Sequence, residues 1–368
     1  MEIAGLRVAV VHDWLTGMRG GEKVLEAILE LTPGADLFTL FHDPGSVSDA
    51  IQRRRIVTSP LQKYASAAGD YRRLLPFFPS AVASWNFAGY DLVVSSSHCV
   101  AKGVDPKGAP HVCYCHTPMR YIWDRFDDYF PPGRPALRFV AGVVAGFLRK
   151  WDVETAPRVG RWVANSEFVR DRIRRYYGAG ATVVHPFVDD SYLGAPLERE
   201  RDDYHLVVSA LVPYKRIEDA IDAAAIANRR LVIIGDGPHR EGLEARAAGR
   251  AEFLGHRPDA ELRARMGSAR SLLYPGVEDF GITAIEAMAC GTPVVARPEG
   301  GALDSVVEGV TGVLAGGNDA RALAAAMLRS EEIAWDRAAI RAHAVGFSRD
   351  RFKREMRREL VLAMERAA

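Results

Sequence analysis

Long hydrophobic runs are the first thing this 368-residue chain lacks. No stretch reaches the roughly 18 apolar residues that a bilayer-spanning helix needs, and no leader pattern precedes Arg7. Cysteine is scarce. Cys99, Cys113, Cys115 and Cys290 all sit in apolar surroundings and form no Cys-x-x-Cys pair. That pattern points to reduced thiols in the cytosol, with Cys113 and Cys115 on one face of a strand rather than on a metal. An excess of one charge is also missing. Lys+Arg 48 against Asp+Glu 47 leaves a net charge of +1, which removes nucleic acid as a bulk electrostatic partner. Four fingerprints are absent as well. Gly-x-Gly-x-x-Gly and the P-loop do not occur, which excludes the usual dinucleotide and NTPase signatures. Neither Asp-x-Asp nor a His/Asp cluster at metal-ligand spacing is found, so no metal and no cofactor are expected.

What is present is a repeated alternation of strand and helix. Hydrophobic content of 48% and charged content of 26% are ordinary for a globular protein, and the length suits two domains. The opening GLRVAVVHDW is a near-continuous apolar run, as a parallel strand covered on both faces requires. Further strands are expected at Asp36–Leu40, Asp91–Ser95, His111–Cys115, Trp162–Asn165 and Thr182–His185, with a linker from Pro186 to Pro196. The second half repeats the scheme with strands at His205–Ser209, Leu231–Ile234, Glu252–Leu254, Ser271–Tyr274 and Pro293–Ala296. Helices start near Ile217, His239, Asp259 and Ile282. Such alternation predicts α/β architecture with doubly wound parallel sheets. The domains are placed at 1–190 and 191–345, and a basic tail at 346–368 folds back on the first. Ala136–Leu148 is apolar and flanked by Arg134, Arg149 and Lys150. A packed core helix is favoured there over one resting on an anionic bilayer.

The stretch SLLYPGVEDFGITAIEAMACGTPVVA, residues 271–296, carries the chemistry. Gly281 opens a helix on which Ile282, Ile285 and Met288 recur at helical spacing. Glu278 lies in the loop before it, and Glu286 falls near the apolar stripe, where a carboxylate needs a polar partner. Between the two acids, the amides of Gly281, Ile282 and Thr283 are helix-start donors suited to a phosphate. Two acids bracketing an anion site could grip the ends of a sugar nucleotide; an ordinary capped loop with a solvent-facing glutamate fits the spacing equally well. Gly20 and Gly21 at an earlier helix start are a second candidate phosphate contact. Lys215 stands before a third helix, where it can meet a diphosphate or simply face solvent. His116 follows the His111–Cys115 strand, at the end where open α/β sheets bind ligands.

In order along the chain, RGGEKVLE, HTPMRYIWD, VANSEFVRDRIRRYYGAGATVVHPFVD, LVPYKRIEDAIDA, VIIGDGP, EFLGHRPDAEL and EDFGITAIEAMACGTPVVA resemble the blocks of glycosyltransferase family 4. The Glu-x7-Glu spacing from Glu278 to Glu286 is the most specific of them. The resemblance implies a GT-B fold, two Rossmann-like domains facing across a cleft, and retaining, metal-independent sugar transfer. Within the family the wording looks most like bacterial mannosyltransferases of polysaccharide or O-antigen assembly. That implies GDP-mannose as donor and a lipid-linked glycan or polysaccharide as acceptor, at a peripheral position on the inner membrane face. A UDP-sugar donor and a catalytically weak nucleotide-sugar binder stay open. By the same resemblance, Glu286 would bind the ribose and Glu278 the donor sugar. Lys215, Gly281, Ile282, Thr283, Gly20 and Gly21 would hold the diphosphate, with Phe280 beside it. Gly255, His256 and Arg257 would lie by the base, and His116 by the transferred sugar. Ala210 departs from the pattern, since many members carry arginine five residues before the lysine; Arg216 is one candidate to replace that cation.

Overall fold

The computed structural model describes residues 3, 5–65, 70–194, 196–197 and 201–365. They form two compact units, Met1–His185 with Phe352–Ala368, and Pro186–Arg351.

The first unit is built on seven parallel strands: β1 (Val8–His12), β2 (Asp36–Thr39), β3 (Ile56–Thr58), β4 (Leu92–Ser97), β5 (His111–Cys115), β6 (Arg161–Ala164) and β7 (Ala181–Val183). Their order in the sheet is β3-β2-β1-β4-β5-β6-β7. Every residue of β1, β4 and β5 is buried, as expected of central strands covered by helices on both faces. The second unit has six: β8 (His205–Val208), β9 (Leu231–Ile234), β10 (Ala251–Gly255), β11 (Leu272–Tyr274), β12 (Val294–Ala296) and β13 (Gly312–Leu314), ordered β10-β9-β8-β11-β12-β13. Both sheets therefore reverse direction beside their first strand. The reversals fall between β1 and β4 and between β8 and β11. Loops at the carboxyl ends of the strands flanking such a reversal diverge and leave a crevice for a ligand.

Two strands were not expected from the sequence, β3 and β13, and each is three residues long. β3 is an outer strand, only half-buried and preceded by Arg53, Arg54 and Arg55, so no apolar run marks it. The expected linker also proves to be folded over its described part. Val188 and Tyr192 are buried in the core of the second unit, and the Val188 amide donates to the Phe347 carbonyl at 2.9 Å. The division accordingly lies at residue 185 rather than 190. The basic tail is the helix Arg349–Glu365, whose residues from Phe352 onward belong to the first unit, while 346–351 stay with the second. Phe352 packs against Tyr114 at 5.5 Å between ring centroids, and Glu359 pairs with Arg161 at 2.5 Å.

One expectation is overturned. The apolar segment 136–148 lies in the helix Pro135–Thr155, but only Ala145, Leu148, Asp152 and Thr155 of that helix are buried. Its C-terminal end is anchored by Asp152, which pairs with buried Lys102 at 3.0 Å and accepts from Trp123 and Tyr177, each at 2.9 Å. The N-terminal part is not core. Leu137, Phe139, Val140, Val143 and Phe147 are 50–74% exposed.

Candidate functional site

In the second unit, the sequence-selected residues collect on loops leaving β8, β10 and β11. Lys215 ends a short 3-10 turn, Pro213–Lys215, directly before the helix Ile217–Ala227. Glu278 lies in the loop between β11 and the helix Ile282–Ala289. The Lys215 ammonium and the Glu278 carboxylate are ion-paired, and both side chains are largely shielded, at 16% and 20% exposure. Gly276 makes this possible: a Cβ there would stand 2.9 Å from the Lys215 carbonyl oxygen, so the two loops approach through bare backbone.

Gly281 is the N-cap of the helix Ile282–Ala289, with φ of +91°; a Cβ would lie 2.0 Å from the Tyr274 hydroxyl. Only glycine fits that turn. It starts the helix beside Glu278, with no side chain capping its first amides. The amides of Ile282 and Thr283 precede any intrahelical acceptor and carry the positive end of the helix dipole. Cation, acid and helix start are thus gathered at the β8/β11 reversal. Glu286 is half-buried one turn further along. Burial raises the Tyr192 hydroxyl and pushes the Cys290 thiol up to about 12, and the negative charge of Glu286 adds to both.

Other expected members are placed differently. The Phe280 side chain is 2% exposed and packs on Phe347, 5.7 Å between centroids, so it is core and can offer a ligand only its backbone. Arg216, in the left-handed region at φ 55°, turns its guanidinium to Asp219 at 2.9 and 3.1 Å, on its own helix. It does not join the Lys215–Glu278 pair. Ala210 is exposed. Gly255 ends β10 in a left-handed turn (φ +70°), followed by exposed His256 and by Arg257, which pairs with Glu261 at 3.3 Å.

The first unit carries a separate cluster at the β1/β4 reversal, most of it not anticipated from sequence. Register pairs His12 with Ser96. The Ser96 hydroxyl stands 3.1 Å from His12 Nδ1 and 2.8 Å from His116 Nε2. His12 Nε2 in turn faces Glu22 Oε1 at 3.8 Å. Gly21 lies against this group, its Cβ position 3.9 Å from both imidazoles, and Gly20 opens the helix Gly20–Leu31. Asp13, fully buried, accepts four backbone N–H bonds from His98, Cys99, Val100 and Ala101 at 2.7–2.9 Å, tying the loop after β4 to the end of β1. Burial, with the neighbouring His98 and His12, holds the His116 imidazole well below its ordinary value, so it is neutral at neutral pH. Burial pushes the Glu22 carboxyl up, but contact with His12 outweighs it and the group stays ionised.

A serine hydroxyl has one proton and can donate to only one of its two imidazoles. In the tautomer that carries the His12 proton on Nε2, beside ionised Glu22, His12 Nδ1 accepts from Ser96. His116 must then donate from Nε2 to Ser96, leaving His116 Nδ1 bare as an acceptor for a hydroxyl. Ser96→Ala is expected to redistribute the His116 proton between its ring nitrogens, read from their nitrogen chemical shifts. It should also lower kcat/KM about tenfold, the worth of one hydrogen bond. Unchanged shifts would mean that Ser96 does not set the His116 tautomer.

Among the described residues, no group of three or more His, Cys, Asp or Glu is arranged to hold a metal ion, and no helix is long and apolar enough to cross a membrane. Residues 34–192 match the family model described as Glycosyltransferase Family 4, and residues 190–344 the model described as Glycosyl transferases group 1. A GDP-mannose-dependent alpha-(1-6)-phosphatidylinositol monomannoside mannosyltransferase of Mycolicibacterium smegmatis is 35% identical over 192 residues, 44% of this chain and 50% of that protein. A D-inositol 3-phosphate glycosyltransferase of Mycobacterium avium is 34% identical over 199 residues, 46% of each. The chain spans about half the length of these curated relatives. Among solved structures, Anabaena Alr3699/HepE in complex with UDP superposes with a TM-score of 0.69 at 18% identity, covering 95% of this chain and 98% of that one. Sucrose-phosphate synthase of Thermosynechococcus elongatus follows at 0.66 and 20%, covering 95% and 97%. These structural likenesses show a shared fold.

Proposed function

The chain belongs to glycosyltransferase family 4, and from that premise we propose that it moves a hexose from a nucleoside diphosphate sugar to an acceptor hydroxyl, with retention and without a metal. The observation that carries this reading is the Lys215–Glu278 pair beside the uncapped start of the helix Ile282–Ala289, at the β8/β11 reversal. Breaking the glycosidic bond puts negative charge on the departing diphosphate. Fixed amides and one ammonium are a preorganised answer to that charge, in the place a divalent cation would otherwise take. A diphosphate arriving there competes with Glu278 for Lys215, and the freed carboxylate turns to the donor sugar's hydroxyls. Glu286 takes the ribose, and the base lies toward Gly255, His256 and Arg257. With Glu278 engaged in this way, no carboxylate among the described residues is set aside as nucleophile, so attack from the face the diphosphate leaves is the proposed route to retention.

GDP-mannose is the proposed donor, supported by the name of the Mycolicibacterium relative. The proposed acceptor is a hydroxyl of a lipid-linked glycan or polysaccharide, met at the inner face of the cytoplasmic membrane. A panel of radiolabelled GDP- and UDP-sugars, run with a chelator, tests this. GDP release from GDP-mannose at a rate unchanged by the chelator is expected. Rate loss on chelation would require a metal, and binding with no release of GDP or UDP for any acceptor would make the chain a non-catalytic binder.

A further inference from the structure

The helix Pro135–Thr155 has two faces that call for different surroundings. Ala145, Leu148, Asp152 and Thr155 are spaced three or four residues apart and form its buried face. On the opposite side Phe139, Val143 and Phe147 recur every four residues, with Val140 alongside, at 74%, 62%, 55% and 59% exposure. Gly142 and Gly146 on the same side meet nothing: a Cβ on either would have open space for 4 Å. From Phe139 to Leu148 there is no charged residue at all. An apolar patch of this kind on a globular surface marks an interaction site.

Charge identifies the partner. Arg134 and Arg138 stand at one end of the stripe and Arg149 and Lys150 at the other, and no acidic residue lies between 134 and 150. Arg138 shares its charge with Asp127 at 2.5 Å, whereas the Lys150 side chain is 77% exposed and only 3.8 Å contact with Glu154 offsets it. Arg149 donates to the Ile122 carbonyl, which holds the helix flank in place. An aromatic-aliphatic stripe bounded by cations matches a surface that is apolar within and anionic at its rim. We propose that this face lies on an anionic lipid bilayer, with Phe139, Val140, Val143 and Phe147 entering the acyl boundary and exposed Arg134 and Lys150, one at each end, at the level of the phosphates. The helix lies in the interface and does not cross it, because the Lys102–Asp152 pair keeps its far end inside the protein. This assignment deepens the membrane-side reading above but does not depend on sugar transfer.

The test is co-sedimentation of the full chain with vesicles of phosphatidylcholine alone or containing one-third phosphatidylglycerol. Binding to the anionic vesicles is expected, weaker as salt is raised, and reduced about tenfold or more by Phe139→Asp with Phe147→Asp. Both substitutions fall on exposed positions, and an unchanged circular dichroism spectrum checks that the fold persists. Phe139→Trp should show a blue-shifted emission on vesicle addition. Absence of binding at low salt, binding indifferent to the double variant, or a tryptophan that stays in water would each overturn the proposal. So would light scattering that shows a dimer dissolved by the same variant, which would assign the face to a second copy. Because binding is read without donor or acceptor, its failure would leave the transfer reaction standing, and failure of transfer would leave the binding standing.

Discussion

Lys215→Ala is expected to lower kcat for nucleotide-sugar turnover by about 10²–10³-fold, equivalent to about 2.7–4 kcal/mol, as loss of a preorganised donor to a developing anion does elsewhere. Two features make the effect large. The ammonium is already at the site and shielded from water, and it passes from Glu278 to the diphosphate when the donor binds, so it does not reorganise when the bond breaks. Its removal also strands the Glu278 carboxylate beside an incoming diphosphate, which adds repulsion to lost attraction. Most of the loss should fall on kcat rather than KM, because the charge it answers is fullest in the transition state. Lys215→Arg should recover only part, since a planar fork does not replace a point charge. Steady-state kinetics with a fixed acceptor decide the matter: a change under about fivefold would take Lys215 out of the site.

Glu286→Ala is expected to raise the donor Kd about 10²-fold and to leave little turnover. The carboxylate is half-buried on the inner turn of the helix Ile282–Ala289, where its charge reaches Tyr192 and Cys290. Hydrogen bonds from ligand hydroxyls to an ionised acceptor contribute roughly 1.5–3 kcal/mol each, so losing two at the low end of that range accounts for that factor. Glu286→Gln keeps the shape and should fall between alanine and wild type. Titration calorimetry with GDP separates this from a folding defect, and an unaltered Kd would remove Glu286 from the nucleotide.

What could be read in the sequence follows from range. Central strands such as β1 and β9 were legible because burial on both faces forces an unbroken apolar run. β3 and β13 were not, being three residues long at the outside of their sheets. Glu278, Gly281 and Glu286 were legible because a single strand-loop-helix stretch carries all three. The His12–Ser96–His116 group was not, since His12 and Ser96 are 84 residues apart and meet only through parallel register. Polar His12 and Asp13 closing an apolar strand were the one available signal. The exposed face of 135–155 is not legible in the sequence for a related reason. An apolar helix reads the same whether the fold covers it or leaves it open, and here the anchoring residues Lys102 and Asp152 pull in only one end.

We propose that the second unit holds a nucleoside diphosphate at its β8/β11 reversal. A crystal structure of the chain with GDP, and one with UDP, tests it most directly. The diphosphate is expected against the amides of Gly281, Ile282 and Thr283 with Lys215 turned from Glu278 onto it, and the ribose at Glu286. A nucleotide bound elsewhere, with the Lys215–Glu278 pair intact, would contradict it.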